Sequence, residues 1–368
     1  MMNYSTSRVS AVDGLRCIAV LGVIFYHYLY RFSYPHFEVS YTPYIFAPSI
    51  MEYGFFGVQL FFVISGFVIS QTLEKSQTFS VFMIKRFVRL WPSLVLCSII
   101  TFLSVKVFDP DQHFPIFHSK TIMDFVPGLT FTPASIWNWL LNQNNIEYID
   151  TAYWSLFVEM LFYFFGGIIF FIKPRAFLNN WLLINLVLTV IRIISSPKLQ
   201  FLFPESINDA FGWMYSLYLK LHVSYWVYFS LGIFFNTLYK KERPTLTSFI
   251  IMALLVILEL YFLKGALSFI FLGIIALFVI LVYRENWLAF LKLKIIVWIG
   301  LISYPLYLLH QNVGLILINQ IVQFIDVRFL KILPFFVTLI MILLSSIIYN
   351  YYERPVIQLL KKALWKNE

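Results

Sequence analysis

The chain has 368 residues, of which 60% are hydrophobic and only 12% charged, and a mean hydropathy of +0.80. That balance excludes a soluble globular protein and makes this a polytopic membrane protein. The formal net charge of +9 reads first as topology and attraction to anionic headgroups, and no nucleic-acid motif accompanies it.

Runs of about twenty apolar residues predict an all-α fold of about ten transmembrane helices. They lie near 12–32, 55–73, 88–108, 152–172, 176–196, 213–238, 247–264, 266–283, 295–319 and 331–352. The first run lacks a small-residue cleavage site and reads as a retained helix. Cys17 and Cys97 both fall in apolar runs, so neither a disulfide framework nor a thiolate metal site is implied. The 109–151 segment is the longest connection and is rich in Pro, Asp, Asn and His; within it, residues 135–141 suit a short amphipathic surface piece. His36, His113 and His118 read as solvated loop residues whose spacing makes no metal site. With no repeat, low-complexity tract or soluble stretch, residues 1–368 read as a single membrane domain with no soluble domain fused.

Lys and Arg placement sets the expected orientation. If the N-terminus is inside, the inner segments carry seventeen Lys and Arg and the outer ones eight, so both termini are expected in the cytoplasm. Arg8, Lys198 and Lys366 are among those counted.

Arg16 and His27 interrupt the first apolar run, eleven residues apart. Eleven helical steps are about three turns, which places both side chains on one face roughly 16 Å apart. An ionisable group in a bilayer costs on the order of 2.5–3.5 kcal/mol on insertion scales and marks a cavity or a partner. The plainer reading is an interhelical hydrogen-bonding pair. Topology puts His27, Glu159 and His310 at similar outer depth, and puts Arg86 and Arg89, three apart on one helix face, at the inner mouth. Two linked sites are therefore expected: a cytoplasmic basic cradle and an outer polar pocket. Arg86 and Arg89 also fit as positive-inside anchors, and His310 as a polar packing residue. Glu353 beside Arg354 reads as a structural interface pair, and Glu259 and Lys220 as structural pairing residues.

Six stretches resemble elements of the membrane acyltransferase family 3, in family order. Arg16 and His27 match its Arg-x10-His signature, and Gly54 to Phe67 its second-helix element. Lys85-Arg86-Phe87-Val88-Arg89-Leu90-Trp91-Pro92 resembles its Arg-x-x-Arg element, and Tyr153-Trp154-Ser155-Leu156-Phe157-Val158-Glu159-Met160-Leu161-Phe162-Tyr163 its Trp-Ser-Leu element. Ile302 to His310 and Tyr352-Glu353-Arg354-Pro355 complete the set. Cys17 stands where the family often has Gly, and Gln59 where an acidic residue is common, so Gln59 receives no proton-transfer role.

The resemblance implies an O-acetyltransferase that moves acetyl from cytoplasmic acetyl-CoA to a hydroxyl of a cell-surface glycan, such as an O-antigen, an exopolysaccharide or a lipid-linked oligosaccharide, in a bacterial inner membrane. Its partners would be membrane lipid, acyl-CoA and that glycan. The residues fit this chemistry on their own terms. Paired arginines engage phosphate with planar multi-donor geometry, which suits Arg86 and Arg89 to the phosphates of CoA. An imidazole such as His27 can take a hydroxyl proton and return it to a leaving thiolate, or form an acyl-imidazole relay. Glu159 can orient an imidazole or support its protonated form, and Arg16 can meet a cofactor phosphate or carbonyl. Rival readings are another acyl-CoA donor, a non-glycan acceptor, and a transporter or flippase for a lipid-linked sugar.

Overall fold

The computed structural model describes residues 9–32, 49–108, 120–197 and 205–365. Of the positions read above, Arg8, His36, His113, His118, Lys198 and Lys366 lie outside the described residues. The described chain contains sixteen α-helices and no strand. In order they are α1 Ser10–Tyr26, α2 Phe56–Glu74, α3 Phe79–Phe108, α4 Phe125–Leu129, α5 Ala134–Leu140, α6 Trp154–Ile172, α7 Phe177–Ile194 and α8 Glu205–Lys220. There follow α9 Trp226–Tyr239, α10 Leu246–Phe262, α11 Ala266–Tyr283, α12 Lys294–Leu301, α13 Ser303–Leu309, α14 Asn312–Val322, α15 Leu333–Ile348 and α16 Arg354–Leu364. Seven described helical stretches are long and apolar enough to cross a membrane, with α10 and α14 as shorter apolar helices. The chain is an all-α polytopic membrane protein, since helices satisfy their own backbone groups where no water can.

Three predicted spans take a different form. The span expected at 213–238 is two helices, α8 and α9, separated by a turn in which His222 adopts a left-handed φ of 51°. A span-length hydropathy window averages over Lys220 and His222 at such a break. Lys220 consequently sits exposed in the last turn of α8 and not mid-span. The span expected at 295–319 is likewise three helices, α12 to α14, interrupted at Ile302 and again at His310 and Gln311. The third helix starts at Phe79, well before the expected residue 88, and continues through Pro92. Arg86 and Arg89 therefore lie well inside this helix.

The described chain divides into two compact units. The first comprises residues 1–58, 86–157 and 286–368, the second residues 59–85 and 158–285. In the first, α1 packs along α12, and the two backbones approach so closely that a Cβ on Gly300 would overlap the Asp13 carbonyl. Close approach through small residues is how helices gain contact where lipid removes the hydrophobic drive. In the second unit α9 is buried along most of its length. There Gly66 and Gly232 bring α2 and α9 into backbone contact, and a Cβ on Gly66 would overlap the Phe229 carbonyl. Phe162 stacks on Phe229 with centroids 4.0 Å apart, and Trp181 stacks on Trp226 at 5.1 Å while donating to Ser230 Oγ at 3.0 Å.

Candidate functional site

The α-helical turns of α1 end at Tyr26, and His27 opens a π-helical turn, His27–Arg31. Such single π turns turn up often at functional positions. Here the wider turn carries His27, half-buried, to His310, which is fully buried at the break between α13 and α14. His27 Nδ1 lies 2.8 Å from His310 Nε2. The far nitrogen of His310, Nδ1, lies 2.6 Å from the Tyr307 carbonyl oxygen.

That carbonyl can only accept, so His310 Nδ1 carries a proton and its neutral ring presents Nε2 as an acceptor. His27 then donates from Nδ1, leaving its Nε2 as the unprotonated nitrogen. The order of protons is thus dictated by one backbone oxygen, as happens wherever the second nitrogen of a histidine is tied down.

The break bearing His310 is clamped from several directions within the same unit. Tyr28, one residue beyond His27, donates to the His310 carbonyl at 2.7 Å, and Tyr153 donates to the Leu308 carbonyl at 3.2 Å. Tyr307 Oη meets the Ala152 carbonyl at 3.0 Å and Ser155 Oγ at 2.9 Å. Gln311 donates to Thr151 Oγ1 at 2.5 Å. Asp150, at the end of the long connection, accepts from the Ala152 and Asn312 backbone N–H groups at 2.9 and 3.0 Å. It thereby satisfies an otherwise orphaned donor at the start of α14, and Asn312 Nδ2 adds a bond to the Ile149 carbonyl at 3.0 Å. Asp150 is fully buried, and desolvation lifts its carboxyl from the usual range to about 6, opposed by those two N–H bonds and by the Lys120 charge.

Arg16 is half-buried and makes a 2.8 Å salt bridge to the buried Asp13 on its own helix, at i,i+3 spacing. Arg86 is buried and Arg89 half-buried on α3. Glu353 is buried too; its partner is Ser93 at 2.6 Å, one turn past Arg89, whose charge acts on the same carboxylate. The adjacent Arg354 is exposed, so the structural pairing of Glu353 runs to α3. Tyr304 ties the other flank to α3 by donating to the Leu90 carbonyl at 2.9 Å.

Glu159 belongs to the second unit. Its Oε1 accepts from Ser65 at 2.6 Å and from Tyr163 Oη one turn along α6. The unit boundary at Phe157 and Val158 therefore splits one sequence element. Tyr153 and Ser155 serve the His310 break, while Glu159 and Tyr163 join Ser65 of the second-helix element. Glu259, also in the second unit, accepts from Tyr228 at 3.1 Å, and Arg192 lies 3.7 Å over the Phe262 ring.

Sequence reasoning missed Asp13, Tyr28, Asp150 and Asn312. The Asp13–Arg16 spacing was visible as an i,i+3 pair. The others depend on segments more than a hundred residues away, and no local signal marks them.

The first unit holds one polar cluster, around His27 and His310, and the second another, around Glu159 and Ser65. The acyltransferase domain family model matches residues 9–351. The chain belongs to acyltransferase family 3. It is similar to the protein named O-acetyltransferase OatA of Staphylococcus aureus, with 26% identity over 96% of this chain and 58% of that protein. It is also similar to the peptidoglycan O-acetyltransferase OatA of Listeria monocytogenes, with 28% identity over 50% of this chain and 28% of that protein. The chain thus spans a little over half the length of the Staphylococcus relative. No solved structure matches it.

Proposed function

We propose that the protein is a membrane O-acyltransferase that carries acetyl from cytoplasmic acetyl-CoA to a hydroxyl of a cell-surface glycan. The observation that carries this reading is the ordered chain from the Tyr307 carbonyl through His310 to His27, which leaves His27 Nε2 as a base. Family membership and the names of the relatives support O-acetyl transfer, and the name of the Listeria relative favours peptidoglycan over an O-antigen as the acceptor class.

In the proposed step His27 Nε2 takes the proton of the acceptor hydroxyl as its oxygen attacks the thioester carbonyl. The new C–O bond forms, the C–S bond breaks, and the proton returns to the departing thiolate. General base catalysis of this kind is worth roughly 10²–10⁴-fold. His310 holds His27 in the required tautomer. Arg86 and Arg89 engage the phosphates of the donor, and Arg16, oriented by Asp13, faces its phosphate or carbonyl. Glu159, bonded to two hydroxyls, acts as a positioning group in its own unit. Both termini are assigned to the cytoplasm and the protein to the bacterial inner membrane.

The test is transfer of labelled acetyl from acetyl-CoA to envelope glycan in membrane vesicles, comparing the parent with His27→Ala at matched folded levels. Label entering glycan only with His27 present is the expected result. A parent that transfers no label but moves an intact lipid-linked sugar would replace the enzyme with a transporter. Acceptor-free incubation separates two uses of the same lone pair, because an acyl-imidazole relay leaves hydroxylamine-sensitive label on the protein and a general base does not.

A further inference from the structure

The second unit holds a cavity of about 180 Å³ that the reading above does not use. A single water needs only about 10–15 Å³, so this space admits a sizeable polar group. Its walls are the carboxyl-terminal ends of α2 and α9, the junction of α6 with α7, and the turn leading into α10. In the expected topology these ends face the cytoplasm.

Two features of the lining favour an anion. Asn236, 1% exposed, lines the cavity, and its Nδ2 is a buried donor with no partner among the described residues. Leaving such a donor unmet costs about 1–3 kcal/mol, so an acceptor belongs there. Arg175, Lys240 and Arg243 also line the space, against Glu74 and Glu242. Lys240 is bridged to Glu74, so Arg175 and Arg243 outweigh the remaining carboxylate and the lining is net cationic.

We propose that this cavity binds a phosphate group, carried either by an anionic lipid headgroup at the membrane face or by the nucleotide end of a coenzyme A thioester. The second source rests on the acyl-CoA reading given above. Asn236 Nδ2 supplies the buried hydrogen bond, and Arg175 and Arg243 supply charge at the mouth. Both arginines are exposed, so removing them leaves the helix packing intact.

The experiment uses the full chain in phosphatidylcholine nanodiscs, as the parent, as Asn236→Ala and as the double variant Arg175→Ala/Arg243→Ala, each at matched thermal stability. One arm titrates CoA and dephospho-CoA; the other measures retention of phosphatidylglycerol by native mass spectrometry. A loss of roughly tenfold or more in both variants is expected in one arm, and that arm names the source. Unchanged binding in both arms would overturn the proposal and leave the cavity to water. A parent that binds no CoA yet loses phosphatidylglycerol in the variants would keep the cavity and sink the acyl-CoA reading. A parent whose CoA affinity and lipid retention both ignore the variants would do the reverse.

Discussion

The two units solve the same problem, keeping polar groups in an apolar chain, in opposite ways. In the first, two imidazoles meet at 2.8 Å and are surrounded by backbone contacts: Tyr28 on the His310 carbonyl, Tyr153 on the Leu308 carbonyl, and Asp150 on the Asn312 N–H. In the second, Glu159 Oε1 accepts from two side-chain hydroxyls, Ser65 and Tyr163, beside stacked Phe162 and Phe229. Clamping a backbone fixes where a ring points and which nitrogen holds its proton. Satisfying a side chain removes a desolvation cost but leaves no lone pair ordered for chemistry. In the proposed mechanism the reactive nitrogen belongs to the first unit, and the second supplies Glu159 as a positioning group.

The sharpest way to break that contrast is His27→Ala, which should lower acyl transfer by roughly 10²–10⁴-fold in vesicles at matched folded levels. Next comes His310→Ala. It strips His27 Nδ1–H of its acceptor and should lower kcat by about 10–10²-fold, the equivalent of an orphaned donor at roughly 1–3 kcal/mol, with KM for the donor unchanged.

Asp150 tests the clamp through pH. Its carboxyl, raised to about 6 in the folded protein, binds more protons folded than unfolded between about pH 4 and 6. Its contribution to stability is consequently present at the acid end of that window and is lost as pH rises through it, by roughly 2–3 kcal/mol. Thermal unfolding of Asp150→Asn from pH 4 to 7 should lack that slope; a slope equal to the parent's would assign it to another group.

In the second unit Gly66→Ala sets a methyl against the Phe229 carbonyl and should cost about 1–3 kcal/mol through overpacking. The reading is the midpoint of unfolding in detergent. A neutral substitution there would mean that α2 and α9 separate without penalty.

Much of this was legible in the chain. Membrane class, helical content and most span positions follow from the lengths of apolar runs, because a bilayer sets a minimum length for each helix. That His27 and Arg16 would need polar partners was legible as well, since polar groups are costly in an apolar run. A span-length hydropathy window averages over Lys220 and His222 at one break and over His310, Gln311 and Asn312 at the other, and the interruption itself is a matter of backbone dihedrals. Arg16 was legible as a charge needing a partner, and the structure gives it a salt bridge to Asp13 three residues away.

The sequence by itself determined that this chain lives in a membrane, that its helices outnumber any other element, and which few ionisable groups need explaining. Composition and period suffice for those, as they depend on transfer free energies and on the repeat of a helix. Only the tertiary structure decided that His27 meets His310 across 283 positions, and that a Tyr307 carbonyl orders their protons. It also gave Glu159 its partner Ser65 and left the Nδ2 of Asn236 unpaired at a cavity wall. Hydrogen bonds are directional and short, so which groups make them is settled by how helices break and pack, a property no local window of residues contains.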